Sequence, residues 1–251
     1  MKKNMWIFGF IVLSLVFGAG AVILGGADSL FSSATVPTAS EGVSKAPVIV
    51  IDPGHGGEDG GCSAADGTLE KDINLEMSKT LCSILTASGY PAVMTRSEDK
   101  MLYSMYGDME DYTGKKKVFD LKNRLRFADE SGAKAFLSIH MNKFPGGKYK
   151  GFQAYYSPAI GGSTALADMI QNKVKTCLQP ENERLIKKAG TNIYILNRAK
   201  ITSVLCECGF LSNAEETEKL KEPEYRKKLS LCITGAVMDW FCTESEKDKN
   251  M

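Results

Sequence analysis

The chain contains two histidines, His55 and His140. Each closes a run of strand-forming residues. His55 follows VIVIDPG and is itself followed by two glycines; His140 ends KAFLSIH. In α/β proteins, ligands bind at the carboxyl ends of strands, so both imidazoles are placed to meet at one rim. Two histidines and a carboxylate make a catalytic zinc set, with water in the remaining position. Glu70 is the best third ligand, because it opens the helix after the His55 loop. Glu58, Asp59 and Asp66 lie in the same loop and remain alternatives. Glu207 is the other notable residue. It sits in SVLCECGFL, where Val204, Cys206 and Cys208 share one strand face and Leu205 and Glu207 the other. A carboxylate there is costly unless it is paired or lies in a site. Beside a zinc-bound water it is placed for proton transfer. A strand-end glutamate bonded to a backbone amide is the competing reading.

These residues need a scaffold of alternating strands and helices. Strands are expected over 47–51, 90–96, 134–140, 151–157, 192–196 and 203–208, where β-branched and aromatic residues cluster between turn signals. Helices are expected over 69–88 with Thr68 as cap, 120–128 with Asp120 as cap, 163–178, 215–221, and 223–241 opened by Pro223. Residues 97–119 are polar and read as a surface excursion, with Lys115, Lys116 and Lys117 as a solvated face. Arg96, ending the second strand, reads as a contact for a substrate carboxylate or, the preferred reading, as a structural surface pair. Asn142 reads equally as a substrate contact or a turn former. The fold class is α/β: a single domain with a twisted, mostly parallel sheet of about six strands and helices on both faces.

At 251 residues, 43% hydrophobic and 24% charged, the chain is globular in composition. A net charge of +1 gives no electrostatic footprint for nucleic acid. Seven cysteines cannot all pair within one chain, and no C-x-x-C occurs. Most read as small buried apolar residues; Cys62, in the His55 loop, reads as a neighbour of the site without a role, or else as a further metal ligand. Lys2 and Lys3 precede the uncharged run 5–26, which is long enough to cross a bilayer. The basic end should stay cytoplasmic and everything after it should be exported. The length favours an uncleaved anchor over a cleaved signal peptide. The expected layout is a cytoplasmic start at 1–4, the membrane segment at 5–26, a linker at 27–46, the catalytic domain at 47–242 and a charged, frayed tail at 243–251.

The ordered motifs IDPGHGGEDGG, TLEKDINLEMS, VMTR, SIHMN and CECGFLSN resemble the zinc-dependent N-acetylmuramoyl-L-alanine amidases of peptidoglycan, the Amidase_3 group. The resemblance covers about 47–241. It implies zinc ligation by His55, Glu70 and His140, with Glu207 as the catalytic glutamate. It also implies hydrolysis of the amide between N-acetylmuramic acid and the stem-peptide L-alanine. The FDLKNRLRFAD, KYKGFQAYYS and EYRKKLSLCITGAVMDWF stretches resemble the sporulation branch of that group. That branch implies work on the spore cortex of a spore-forming Gram-positive bacterium, outside the cytoplasm. Removing stem peptides there lets a partner deacetylase complete muramic-δ-lactam for germination. A regulatory partner protein is a further expectation. A vegetative autolysin, or a non-catalytic peptidoglycan binder of the same fold, is the alternative. Thr202-Ser203 departs from the proline common at that point in the group.

Overall fold

The computed structural model describes residues 49–249. The expected membrane segment and linker lie outside them. Among the described residues, no helix is long and apolar enough to cross a membrane.

Six strands form one sheet in the order β2-β1-β3-β6-β4-β5. They are β1 (Ile49–Pro53), β2 (Ala92–Met94), β3 (Ala135–Asn142), β4 (Gln153–Tyr156), β5 (Lys187–Lys188) and β6 (Thr202–Phe210). The β1, β2, β3 and β6 strands run parallel; β4 is antiparallel to β6, and β5 is parallel to β4. The helices are α1 (Glu70–Ala87), α2 (Lys116–Glu130), α3 (Gly162–Cys177), α4 (Tyr194–Arg198), α5 (Ala214–Lys221) and α6 (Pro223–Lys249).

The period-two alternation of the strands builds two cores. Ile49, Ile51, Leu137, Ile139, Val204, Cys206 and Cys208 face a large cluster completed by α1, α3 and α6. Val50, Phe136 and Leu205 face a smaller one completed by α2 and α4. Each fully buried Leu, Ile or Phe contributes roughly 1.5–3 kcal/mol relative to exposure. The same alternation places Asp52, Ser138, His140, Glu207 and Gln153 on the second face, at the sheet's open end.

Several local expectations change. Residues 192–196 hold no strand: Ile195 and Leu196 are buried, but on the short helix α4. The Asn197 side chain donates to the carbonyls of Gly190 and Ile193 and stabilises that turn. The sixth strand is instead β5, two exposed lysines with no apolar pattern. Thr68 does not cap α1; Leu69 holds that position without a side-chain cap. Asp120 lies one turn inside α2, buried among partners rather than at its end. The excursion is anchored, since Leu102 and Tyr112 are buried. The charged segment after residue 242 continues α6 as far as Lys249. All seven cysteines are free, three of them buried.

Candidate metal centre and a buried glutamate

His55 leaves β1 in a left-handed backbone conformation, φ 63°. That conformation is rare for a residue with a side chain, and here the surroundings enforce it. Arg124 reaches up from α2 and donates to the carbonyls of His55 at 2.6 Å and Pro53 at 2.7 Å. The same guanidinium pairs with Asp52 and Asp120, each at 2.7 Å, and all three charged groups are buried. Asp52 also accepts from Thr95 at 2.6 Å and Ser138 at 2.8 Å. Burial alone would raise its pKa, but Arg124 and these hydroxyls hold it below 3.8. Arg96 is buried as well, so the expected surface pair is corrected. It donates to the carbonyls of Pro53, Gly54, Lys71 and Glu98 and staples the loop to the start of α1.

Held this way, the loop brings His55 to Glu70 and His140. The Nε2 of His55 lies 3.2 Å from the Oε1 of Glu70, and the Nδ1 of His140 lies 2.9 Å from the same oxygen. The imidazoles stand nearly perpendicular, with centroids 5.0 Å apart. Gly54 is required by packing, because a Cβ there would enter the His140 ring. Gly61 has φ +67° and passes so close to Glu70 and His55 that a side chain has no room.

Donor atoms from His55, Glu70 and His140 all lie within 4.8 Å of one another, which suits one metal ion. Bonds of ~2.0–2.1 Å in a tetrahedron imply ligand separations of about 3.4 Å, near the observed contacts. The outer contacts agree. Asp59 holds the Nδ1 of His55 at 2.9 Å, leaving Nε2 to face the centre. The Oε2 of Glu70 accepts from the Cys62 amide at 2.8 Å. Burial would lower the pKa of His55, but the Asp59 and Glu70 carboxylates raise it to about 9. The same negative potential that draws a proton favours a cation. Glu70 is buried, which would raise its pKa, yet its bonds to His140 and His55 hold it well below the usual carboxylate range.

Of the alternative ligands, Glu58 pairs outward with Lys116 and Asp66 with Lys221. Asp59 stands behind His55 as its orienting partner. The Cys62 Sγ contacts the Met141 carbonyl at 3.6 Å, and burial pushes its thiol up. Asn142 lies where the β3–β6 register slips.

Glu207 is the register partner of His140 across β3 and β6. Burial lifts its carboxyl to about 7, with His140 pulling down and Glu70 pushing up. Its Oε2 is buried without a hydrogen-bond partner among the described residues. A buried orphan oxygen is destabilising and marks a site built for something other than stability. A neighbouring cleft of about 460 Å³, lined by Tyr149, Arg184, Glu216 and Tyr225 among others, includes none of these four residues in its lining, but its Arg184 is close enough to Glu207 to act on its charge.

Asp52, Arg124 and Asn74, whose side-chain amide donates to the Gly54 carbonyl at 3.1 Å and to the Oε1 of Glu70 at 3.4 Å, were not singled out from the sequence, and Asp120 was read only as a cap. Their signal was present: an aspartate ending an apolar strand, and an Asp and Arg four apart on the core side of a helix.

Comparison with known proteins identifies the family. The sequence signature of the N-acetylmuramoyl-L-alanine amidase family, Amidase_3, matches residues 49–239. A germination-specific N-acetylmuramoyl-L-alanine amidase of Bacillus subtilis is 31% identical over 199 residues, 79% of this chain and 81% of that protein. The amidase LytC of the same organism is 32% identical over 195 residues, 77% of this chain but 35% of LytC. Among solved structures, the CwlD amidase of Clostridioides difficile in complex with the GerS lipoprotein superposes with a TM-score of 0.71. It is 36% identical and covers 78% of this chain and 98% of that one. The chain belongs to the Amidase_3 family of N-acetylmuramoyl-L-alanine amidases.

Proposed function

We propose that this peptidoglycan amidase is a zinc enzyme in which His55, Glu70 and His140 hold the ion and Glu207 handles the proton. The observation that carries the reading is Glu207: buried, opposite His140, with one oxygen unbonded. Bound zinc would supply a Lewis acid that polarises the scissile carbonyl and acidifies water. Glu207 takes a proton from the attacking water as the carbon–oxygen bond forms. It returns that proton to the alanine nitrogen as the carbon–nitrogen bond breaks, leaving a lactyl carboxylate and a free amine. A carboxyl near pKa 7 suits both halves of that exchange. Asp59 keeps Nε2 of His55 turned inward, and Arg124 fixes the backbone beneath it.

The test pairs two variants. Glu207→Ala should bind zinc normally and release no peptide from purified muropeptides. His140→Ala should lose zinc, measured by metal analysis after dialysis. Ordinary turnover in Glu207→Ala would remove the assigned role.

The cellular reading is a spore-cortex enzyme acting outside the cytoplasm. It is supported by the germination-specific relative and by the likeness to CwlD. In this reading, residues 5–26 anchor the protein at the membrane of a spore-forming Gram-positive cell, and the domain from 47 to 242 carries the reaction. A muramic-acid deacetylase then acts on the stripped strands. The CwlD structure contains the GerS lipoprotein, which supports a regulatory protein partner here too. Mass spectrometry of cortex muropeptides with and without the protein decides this: unchanged muramic-lactam content rejects the cortex role.

A further inference from the structure

Beyond the metal ligands and Glu207, the sheet carries a second polar row. His140, Glu207 and Gln153 are register partners across β3, β6 and β4, on one face at the site's end of the sheet. Neighbouring strands are about 4.8 Å apart, so Gln153 lies one strand beyond the acid/base residue. Gln153 is buried, and its Oε1 accepts from the Nη1 of Arg184 at 2.8 Å. The Nε of Arg184 donates to the Lys150 carbonyl at 2.9 Å, and its guanidinium lies over the Phe210 ring at 4.5 Å. Two hydrogen bonds and an aromatic face thus fix this cation in place. Its Nη2 has no partner, and the residue forms no ion pair, among the described residues. Arg184 is also close enough to Glu207 to pull its carboxyl down.

The cations on the opposite side of the metal differ. Lys71 pairs with Asp99, Lys116 with Glu58, Lys117 with Asp59, and Arg124 with Asp52 and Asp120. These four cations each already meet a carboxylate, and Arg96 beside them is buried against backbone carbonyls. The substrate itself is asymmetric: a glycan strand of neutral sugars on one side of the scissile amide, and a peptide ending in carboxylates on the other. A held, half-free guanidinium is the group that recognises a carboxylate at low ordering cost.

Resting on the peptidoglycan-amidase reading, we propose that Arg184, set by Gln153 and Phe210, binds a carboxylate of the stem peptide. The peptide then leaves the metal over β6 towards β4 and β5. Lys187, paired in register with Tyr155 on the same sheet face, extends that path with a further positive charge that forms no ion pair among the described residues.

Binding and turnover test this separately. In full-length Glu207→Gln protein, which does not need to turn over, binding of a disaccharide-peptide with free peptide carboxylates is compared with binding of its fully amidated counterpart. Adding Arg184→Gln should weaken the first about tenfold and leave the second unchanged; Arg184→Lys should recover part of the loss, as a point charge without the fork. In the active enzyme, Arg184→Gln should raise KM for the free-carboxylate substrate by a similar factor, with kcat within about twofold. Equal weakening for both substrates, or none, overturns the proposal. Circular dichroism and melting temperature identify a variant that has lost its fold, in which case Arg184→Lys carries the decision. Wild-type protein that binds with this carboxylate preference yet releases no peptide would count against the amidase reading and leave the subsite standing.

Discussion

On the β1–β2 side of the candidate metal site, Lys71, Lys116, Lys117 and Arg124 each meet a carboxylate. On the β4–β5 side, Lys148, Lys150, Arg184, Lys187 and Lys188 form no ion pair among the described residues. Lys148 and Lys187 rest near Tyr149 and Tyr155, at 5.3 and 5.8 Å from the ring centroids. The first flank spends its charge internally, to hold a loop whose backbone is unfavourable for histidine. The second leaves its charge outward. One side holds the proposed ligands in place, and the other is proposed to meet the substrate. The Glu207 strand lies between them and belongs to both.

The largest expected effect breaks the first flank. Arg124→Met leaves Asp52 and Asp120 buried without their counter-charge. Removing one member of a buried pair costs about 3–5 kcal/mol. Urea unfolding should show that loss, while Arg184→Gln on the other flank should stay within about 1 kcal/mol of wild type. Similar losses at both positions would erase the distinction.

The pH dependence follows from Asp52. Its folded pKa is held below its ordinary 3.8. Its contribution to stability is therefore fully present above that value and is lost as pH falls through the lower, folded one. Acid unfolding of the metal-free wild type should steepen below about pH 3.8, the ordinary carboxyl range. Asp52→Asn should be less stable near neutrality and show a shallower acid limb. A parallel profile in the variant would move the acid sensitivity elsewhere.

A smaller effect concerns the ligands directly. Gly54→Ala drives a methyl into the His140 ring. Overpacking of this kind costs about 1–3 kcal/mol. Zinc titration should show weaker binding, because the ring that must yield is a proposed ligand. Unaltered affinity would mean that His140 can shift without cost to the centre.

How much of this was legible in the sequence differs between the same two flanks. His55 and His140 came from residue type and strand-end position, Glu70 from opening the helix after the His55 loop ahead of other loop acids, and the three do converge. The four parallel strands announced themselves as apolar runs. The far edge did not. Asn192 to Leu196 carries strand-forming residues, yet Ile195 and Leu196 reach the small core from a helical turn. A five-residue apolar run fits either conformation, and tertiary packing chose. The β5 strand pairs through backbone alone and leaves no side-chain pattern to read. Arg96 and Arg124 were hidden for a different reason. Their partners are carbonyls and aspartates up to 72 positions away, and spacing along the chain cannot report a contact of that kind.

The smallest effect asks what makes the first flank firm. Lys117 lies 3.2 Å from Asp59, the residue that orients His55, but its side chain is 65% exposed. Exposed pairs contribute about 0–1 kcal/mol, since water screens them and a long side chain must be ordered. The hydrogen bond from His55 to Asp59 does not depend on that lysine. Lys117→Ala should therefore change stability and zinc affinity far less than Arg124→Met or Gly54→Ala, by urea unfolding and metal titration alike. A loss approaching that of Arg124→Met would mean that surface charge, and not the buried arginine beneath the loop, holds His55 in position.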